Sequence, residues 1–181
     1  MNGQIIIIGF MGAGKSAVAR ALASSLSDPI VDLDELITKN EGRSPAAIIE
    51  QDGENSFRQI ETETLREVVT TGAARIVALG GGAWTIAENR ELLTSHGAFT
   101  VWLDVPFELC WRRIEAGHAA RPLAPSRELA EKLYYDRRGS YALAQARIAI
   151  GENDSAEAIA AKLAAELSHH DTNNHEKAET L

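Results

Sequence analysis

The sequence predicts a three-layer α/β domain in which helices cover both faces of a parallel sheet. Three observations lead there. Short apolar runs alternate with longer amphipathic ones, and apolar residues within the short runs are consecutive rather than alternating. The chain, at 181 residues, is also about one domain long. Residues 4–8, 30–32, 75–79, 99–103 and 147–150 read as the strands. The segments between them carry helix start signals: Ser44-Pro45 offers an N-cap with proline at the first helical position. Thr85-Ile86-Ala87-Glu88 has capping-box spacing, and Ser126 and Ser155 suit N-caps. Strand–helix alternation implies right-handed crossovers. No internal repeat or interdomain linker interrupts it. Residues 117–126 hold glycine, two prolines and few bulky side chains, and read as a loop free to move. From Ser168 the chain is polar, with His169, His170 and His175. The domain is therefore expected to span 1–167, with 168–181 a disordered polar tail.

Composition narrows the function classes. Apolar residues make up 45% and charged residues 24%, as in ordinary globular domains, and the net charge is -8. An acidic chain does not suit nucleic acid or an anionic membrane, although a local cationic pocket can sit inside an acidic shell. The single Cys110 excludes an internal disulfide and a Cys-based zinc site, and reads as a buried structural thiol. No apolar run is long enough to cross a bilayer, and the N-terminus lacks the features of a signal peptide. A cytoplasmic location is expected.

The most specific motif is Gly9-Phe10-Met11-Gly12-Ala13-Gly14-Lys15-Ser16, which matches G-x-x-x-x-G-K-[ST] directly after the first strand. Phosphate oxygens need a ring of backbone N–H groups, and glycines let the backbone curl without side chains in the way. A helix opening near Lys15 adds its N-terminal partial positive charge. Lys15 would reach the β- and γ-phosphates of a nucleotide, and the Ser16 hydroxyl would ligate Mg²⁺. The motif makes the chain a P-loop nucleotide-binding domain.

Around the loop the signals are weaker. Asp32-Leu33-Asp34 closes the second strand, at the sheet edge where ligands of parallel sheets collect. Strand alternation would send Asp32 and Asp34 to the same side, one toward Mg²⁺ through water and the other toward a substrate hydroxyl. Asp34 also suits an N-cap for a helix beginning near Glu35. Arg58 lies in an amphipathic helix, where an arginine by itself reads as solvated. Gly80-Gly81-Gly82 after the third strand fits close backbone approach to a ligand or a flexible turn. Arg121 falls in the mobile loop, and Arg137 shares a helix face with Tyr141 four residues on.

Taken together, residues 4–165 resemble the shikimate kinase family: GFMGAGKS at 9–16, DLD at 32–34, GENSFRQIE at 53–61, GGGA at 80–83, RPL at 121–123, and Arg137 four before Tyr141. The resemblance implies a nucleoside-monophosphate-kinase-like fold with a five-stranded parallel sheet and a mobile lid at about 114–126. It implies transfer of the ATP γ-phosphoryl group to the 3-hydroxyl of shikimate, in aromatic amino-acid synthesis, by a monomer that uses Mg²⁺. Carried over by position, Asp34, Arg58, Gly81 and Arg137 would contact shikimate, with Asp34 on ring hydroxyls and the arginines on the carboxylate. Residues Gly12, Ala13, Gly14, Lys15, Ser16 and Ala17 would hold ATP, with Arg121 on its phosphates and Arg113, or the adjacent Arg112, over adenine. Ser16 and Asp32 would be the magnesium pair, and Lys15, Asp34 and Arg121 the catalytic groups. Two places depart from the family pattern: Ala124-Pro125 follows Leu123 where RPLL is usual, and Gly151-Glu152-Asn153 replaces an acidic-plus-threonine pattern. The alternatives are another small-molecule kinase of this fold, such as one for gluconate, and a catalytically silent nucleotide-binding module.

Overall fold

A computed structural model describes residues 3–117 and 122–178, with side chains through Ser168. Five strands form one parallel sheet: β1 (Ile5–Ile8), β2 (Ile30–Asp32), β3 (Ile76–Ala78), β4 (Phe99–Asp104) and β5 (Ala146–Ala149), in the spatial order β2-β3-β1-β4-β5. The predicted strands are all present, with ends shifted by no more than one residue. Their burial follows their place in the sheet. Central β1 is four isoleucines, none more than 1% exposed, between β3 and β4. Each such side chain contributes roughly 1.5–3 kcal/mol of burial. Edge strand β5 departs from the continuous apolar run: Ile148 is buried while Arg147 and Ala149 face out, as suits a strand paired on one side only.

The helices are α1 (Lys15–Leu26), α2 (Leu33–Glu41), α3 (Pro45–Asp52), α4 (Glu54–Thr71), α5 (Ala87–Ser95), α6 (Phe107–Ala116), α7 (Arg127–Tyr141) and α8 (Ala156–Ala178), and they cover both faces of the sheet. Three predicted caps form. The Oγ atoms of Ser44, Ser126 and Ser155 accept the backbone N–H of Ala47, Leu129 and Ala158. The fourth does not. Thr85 belongs to a single 3-10 turn, Ala83–Thr85, and its hydroxyl donates 2.6 Å back to the Gly82 carbonyl. Helix α5 therefore starts at Ala87 without a side-chain cap. Helix α6 continues through Ala116, so the first three positions assigned to the lid are helical. No described helix is long and apolar enough to cross a membrane.

The C-terminal boundary also needs correction. A disordered tail from residue 168 was expected, yet α8 runs on to Ala178. Apolar burial along α8 is supplied by Ile159, Ala160, Leu163 and Leu167. Helix α8 lies against α1, the helix that starts at the phosphate loop. Truncation after Ser168 is accordingly expected to lower helical circular dichroism slightly while shifting Tm by no more than about 2 °C. A thermal melt checks this, and a fall of many degrees would place part of the core beyond Leu167.

Candidate active site

The loop between β1 and α1 folds as its glycines require. Gly12 has φ 76°, and a Cβ there would stand 2.6 Å from the Cys110 carbonyl oxygen, so both backbone and space demand glycine. Gly14, with φ 86°, is the left-handed N-cap of α1. The Ala13 N–H donates to the Phe10 carbonyl at 3.1 Å and closes the loop on itself. The first-turn N–H groups of Lys15, Ser16 and Ala17 have no intrahelical acceptor and open toward the cleft. The Lys15 ammonium donates to the same Phe10 carbonyl at 3.0 Å. Desolvation depresses its pKa below the ordinary lysine value, and the negative charge of Asp34 opposes the shift most strongly. The cleft over this loop has a volume of about 350 Å³, and Asp32, Asp34, Leu79 and Gly81 complete its wall.

Asp32 and Asp34 do reach one cleft, but not through strand alternation. Strand β2 ends at Asp32, and Asp34 already lies in the first turn of α2. The capping role falls to Asp32, not Asp34: Asp32 Oδ1 accepts from the N–H of Asp34 at 3.1 Å and of Glu35 at 3.2 Å. Its other oxygen, Oδ2, accepts from the Ser16 hydroxyl. The expected magnesium pair is thus in direct contact beside the phosphate loop. Both offer hard oxygens, and Mg²⁺ in nucleotide sites commonly takes one or two protein oxygens alongside phosphates and water. The donor set fits that ion. Among the described residues no cluster of three or more His, Cys, Asp or Glu exists for another metal.

Next to the phosphate cleft lies a second pocket, walled by Ala46, Ile49, Phe57, Pro122 and Leu123 and floored by charged groups. Arg58 is not the solvated residue its helix position suggests. Its side chain is only 18% exposed, and it donates to Glu61 Oε2 at 2.6 Å and to Glu54 Oε1 at 3.0 Å. Arg137 enters from α7 and is also buried. Glu61, for which the sequence suggested no role, is fully buried, and its Oε1 has no hydrogen-bond partner among the described residues. Burial raises its pKa, while the charge and hydrogen bond of Arg58 oppose the rise. The i,i+3 spacing of Arg58 and Glu61 was the available signal.

The three glycines after β3 make room for these groups. At Gly80 a Cβ would lie 2.5 Å from Glu61 Oε1 and 2.8 Å from Asp34 Oδ1, and at Gly82 it would collide with the Arg58 guanidinium. At Gly81 it would press 3.3 Å onto the Met11 N–H of the phosphate loop. Close approach, not flexibility, explains the run. Arg113 donates to the Gly12 carbonyl at 3.3 Å, whereas Arg112 points away to an exposed ion pair with Glu152. Arg121 lies outside the described residues. Beyond it Ala124, where the family usually has leucine, is buried.

With this geometry in hand, comparison with known proteins is decisive. A sequence model of shikimate kinase matches residues 11–168. The chain belongs to the shikimate kinase family. The shikimate kinase of Synechococcus elongatus is 41% identical over 162 residues, 87% of this chain and 83% of that protein. In the solved structures, shikimate kinase from Acinetobacter baumannii in complex with shikimate superposes with a TM-score of 0.84 at 32% identity, covering 93% of this chain and 94% of that one. The Aquifex aeolicus enzyme gives 0.77 at 30% identity, covering 93% and 98%.

Within the shikimate kinase frame, the Arg58–Glu61 pair has a consequence for stability. Arg58→Ala leaves Glu61 buried without its cation, which raises the folded-state pKa of Glu61 further above its unfolded value. Such a group loses its stabilising contribution as pH rises through the folded-state pKa. The variant is expected to approach wild-type stability near pH 4.5 and to fall progressively below it toward pH 8, by up to about 3 kcal/mol. Chemical denaturation across that range checks the trend, and a gap independent of pH would contradict it.

Proposed function

We propose that this chain is an ATP-dependent shikimate kinase, using the cleft at residues 9–16 for ATP and the pocket floored by Arg58 and Arg137 for shikimate. One observation carries the division: Asp34, Met11 and Gly81 line both cavities, so the two open onto each other at the residues best placed to touch the group in transit. A buried and a partly buried arginine, Arg137 and Arg58, suit a carboxylate, and Asp34 suits the hydroxyls of the same small ring. Its apolar walls suit the carbon skeleton between them. The acceptor is the 3-hydroxyl, as in the family, and the product serves aromatic amino-acid synthesis.

Phosphoryl transfer passes through a loose transition state, so positioning and charge stabilisation account for most of the catalysis. The amides of Gly14 to Ala17 and the Lys15 ammonium hold the phosphates and meet charge developing on the leaving oxygen. Its desolvated surroundings strengthen the hold of Lys15 on that charge. Asp34 orients the acceptor hydroxyl and takes its proton late in transfer. Ser16 and Asp32 hold Mg²⁺, which when bound neutralises phosphate charge. Arg113 covers adenine, with Arg112 engaged elsewhere. Arg121 completes the phosphate contacts from the lid, and Pro122 and Leu123 next to it line the acceptor pocket. Nothing in the site favours gluconate or a silent module over this reading.

The arginine pair supplies the test. If both grip the carboxylate, each is worth about 1.5–3 kcal/mol. Arg58→Ala and Arg137→Ala should each weaken shikimate binding by roughly ten- to a hundredfold and leave ATP affinity nearly unchanged. Their losses should be non-additive in the double variant, and lysine should rescue only in part. Titration calorimetry below the melting range decides it. Wild-type shikimate affinity in both single variants would overturn the assignment.

A further inference from the structure

The sequence motif in which Tyr141 follows Arg137 by four residues is not used by the mechanism above, yet its geometry is specific. Tyr141 is 1% exposed, and its hydroxyl donates to the Gly81 carbonyl at 2.5 Å, across 60 residues of sequence. Burial pushes the phenol up to about 12, opposed first by the charge of Arg137 and then by a hydrogen bond from it. Arg137 Nη1 in turn stands 3.6 Å from the place a Cβ would take on Gly81. One phenol therefore anchors the backbone of Gly81, the same residue that the guanidinium of Arg137 stands beside.

The carbonyls on either side of Gly81 are held locally. The Gly80 carbonyl accepts from the Ala83 N–H, and the Gly82 carbonyl from the N–H and hydroxyl of Thr85. Gly81 is different: its carbonyl takes a side chain from α7. That helix is itself docked beside it, since Trp84 Nε1 donates to the Ser140 carbonyl at 2.8 Å. A glycine without a side chain to pack has unusual rotational freedom, so a bond to its carbonyl fixes the peptide plane that faces both cavities.

We infer that Tyr141 is a positioning residue for the acceptor's carboxylate, holding the Gly81 backbone and the Arg137 guanidinium in one fixed relation. The inference rests on the proposed reading that Arg137 and Gly81 meet shikimate. It deepens that reading by naming what aims them. Tyr141 does not reach the substrate; it acts through the two groups that do.

The test is Tyr141→Phe, which keeps the ring packed beside Trp102, at 6.0 Å between centroids, and removes only the hydroxyl. A folded enzyme is expected, verified by its melt. Its KM for shikimate should rise roughly three- to tenfold, the equivalent of one hydrogen bond, with the KM for ATP and kcat at saturation changed less than twofold. A shikimate analogue with a carboxamide in place of the carboxylate should bind wild type and variant alike. An unchanged shikimate KM would overturn the inference. So would KM values for both substrates rising together with a falling Tm, which marks a purely structural role. Arg137→Ala measured alongside separates the two levels. If it raises the shikimate KM and Tyr141→Phe does not, the anchor is wrong and the carboxylate reading stands. If neither variant moves it, both are wrong.

Discussion

Where β3 ends, the backbone has no room for side chains, because charged groups from three helices converge on it. Glu61 of α4 and Asp34 of α2 face Gly80, Arg58 of α4 fills the space over Gly82, and Arg137 of α7 stands beside Gly81. The rest of the site follows from this crowding. Two carboxylates and two guanidinium groups can share a half-dry floor only if opposite charges balance and the backbone beneath them is bare. The triple glycine supplies the bare backbone, and the sheet order supplies the location. With β1 between β3 and β4, the turn after β3 lies directly beside the phosphate loop after β1. The two cavities therefore meet at Gly81 and Met11, which line both.

How much of this could be read from the residues depends on how local each feature is. The phosphate loop is eight consecutive residues whose spelling is its mechanism, so it was legible outright. The strands were legible because burial on both faces writes continuous apolar runs, and the exception, β5, is an edge strand. Arg58 was not legible as a buried group from its own helix, since its guanidinium lies over Gly82, on a separate element. Glu61 went unassigned for the same reason. Its spacing to Arg58 was visible, but that a carboxylate there would be sealed from water was not. The shared cleft of Asp32 and Asp34 was expected on a mistaken ground, because the strand stops at Asp32, before the residues that alternation needs. Thr85 failed as a cap because the turn that follows three glycines engages its hydroxyl first. Helix α8 runs on after Leu167 through a polar segment of low helix propensity, where composition had suggested disorder.

An acidic chain and inward-facing cations are compatible. A net charge of -8 belongs to the chain as a whole, while Lys15, Arg58 and Arg137 point inward at the carboxyl end of the sheet. These cations are matched by Asp32, Asp34 and Glu61 in the same two cavities, so the site is locally balanced inside an acidic shell that repels polyanions.

The central claim is that the phosphate cleft and the arginine-floored pocket work as one site on one acceptor. ATP consumption in a coupled assay, with Mg²⁺ present and shikimate either supplied or withheld, tests it most directly. The account predicts turnover that depends on shikimate, saturates with it, and yields stoichiometric shikimate phosphate. ATP hydrolysis that is equally fast without shikimate, or no turnover with it, would contradict the account.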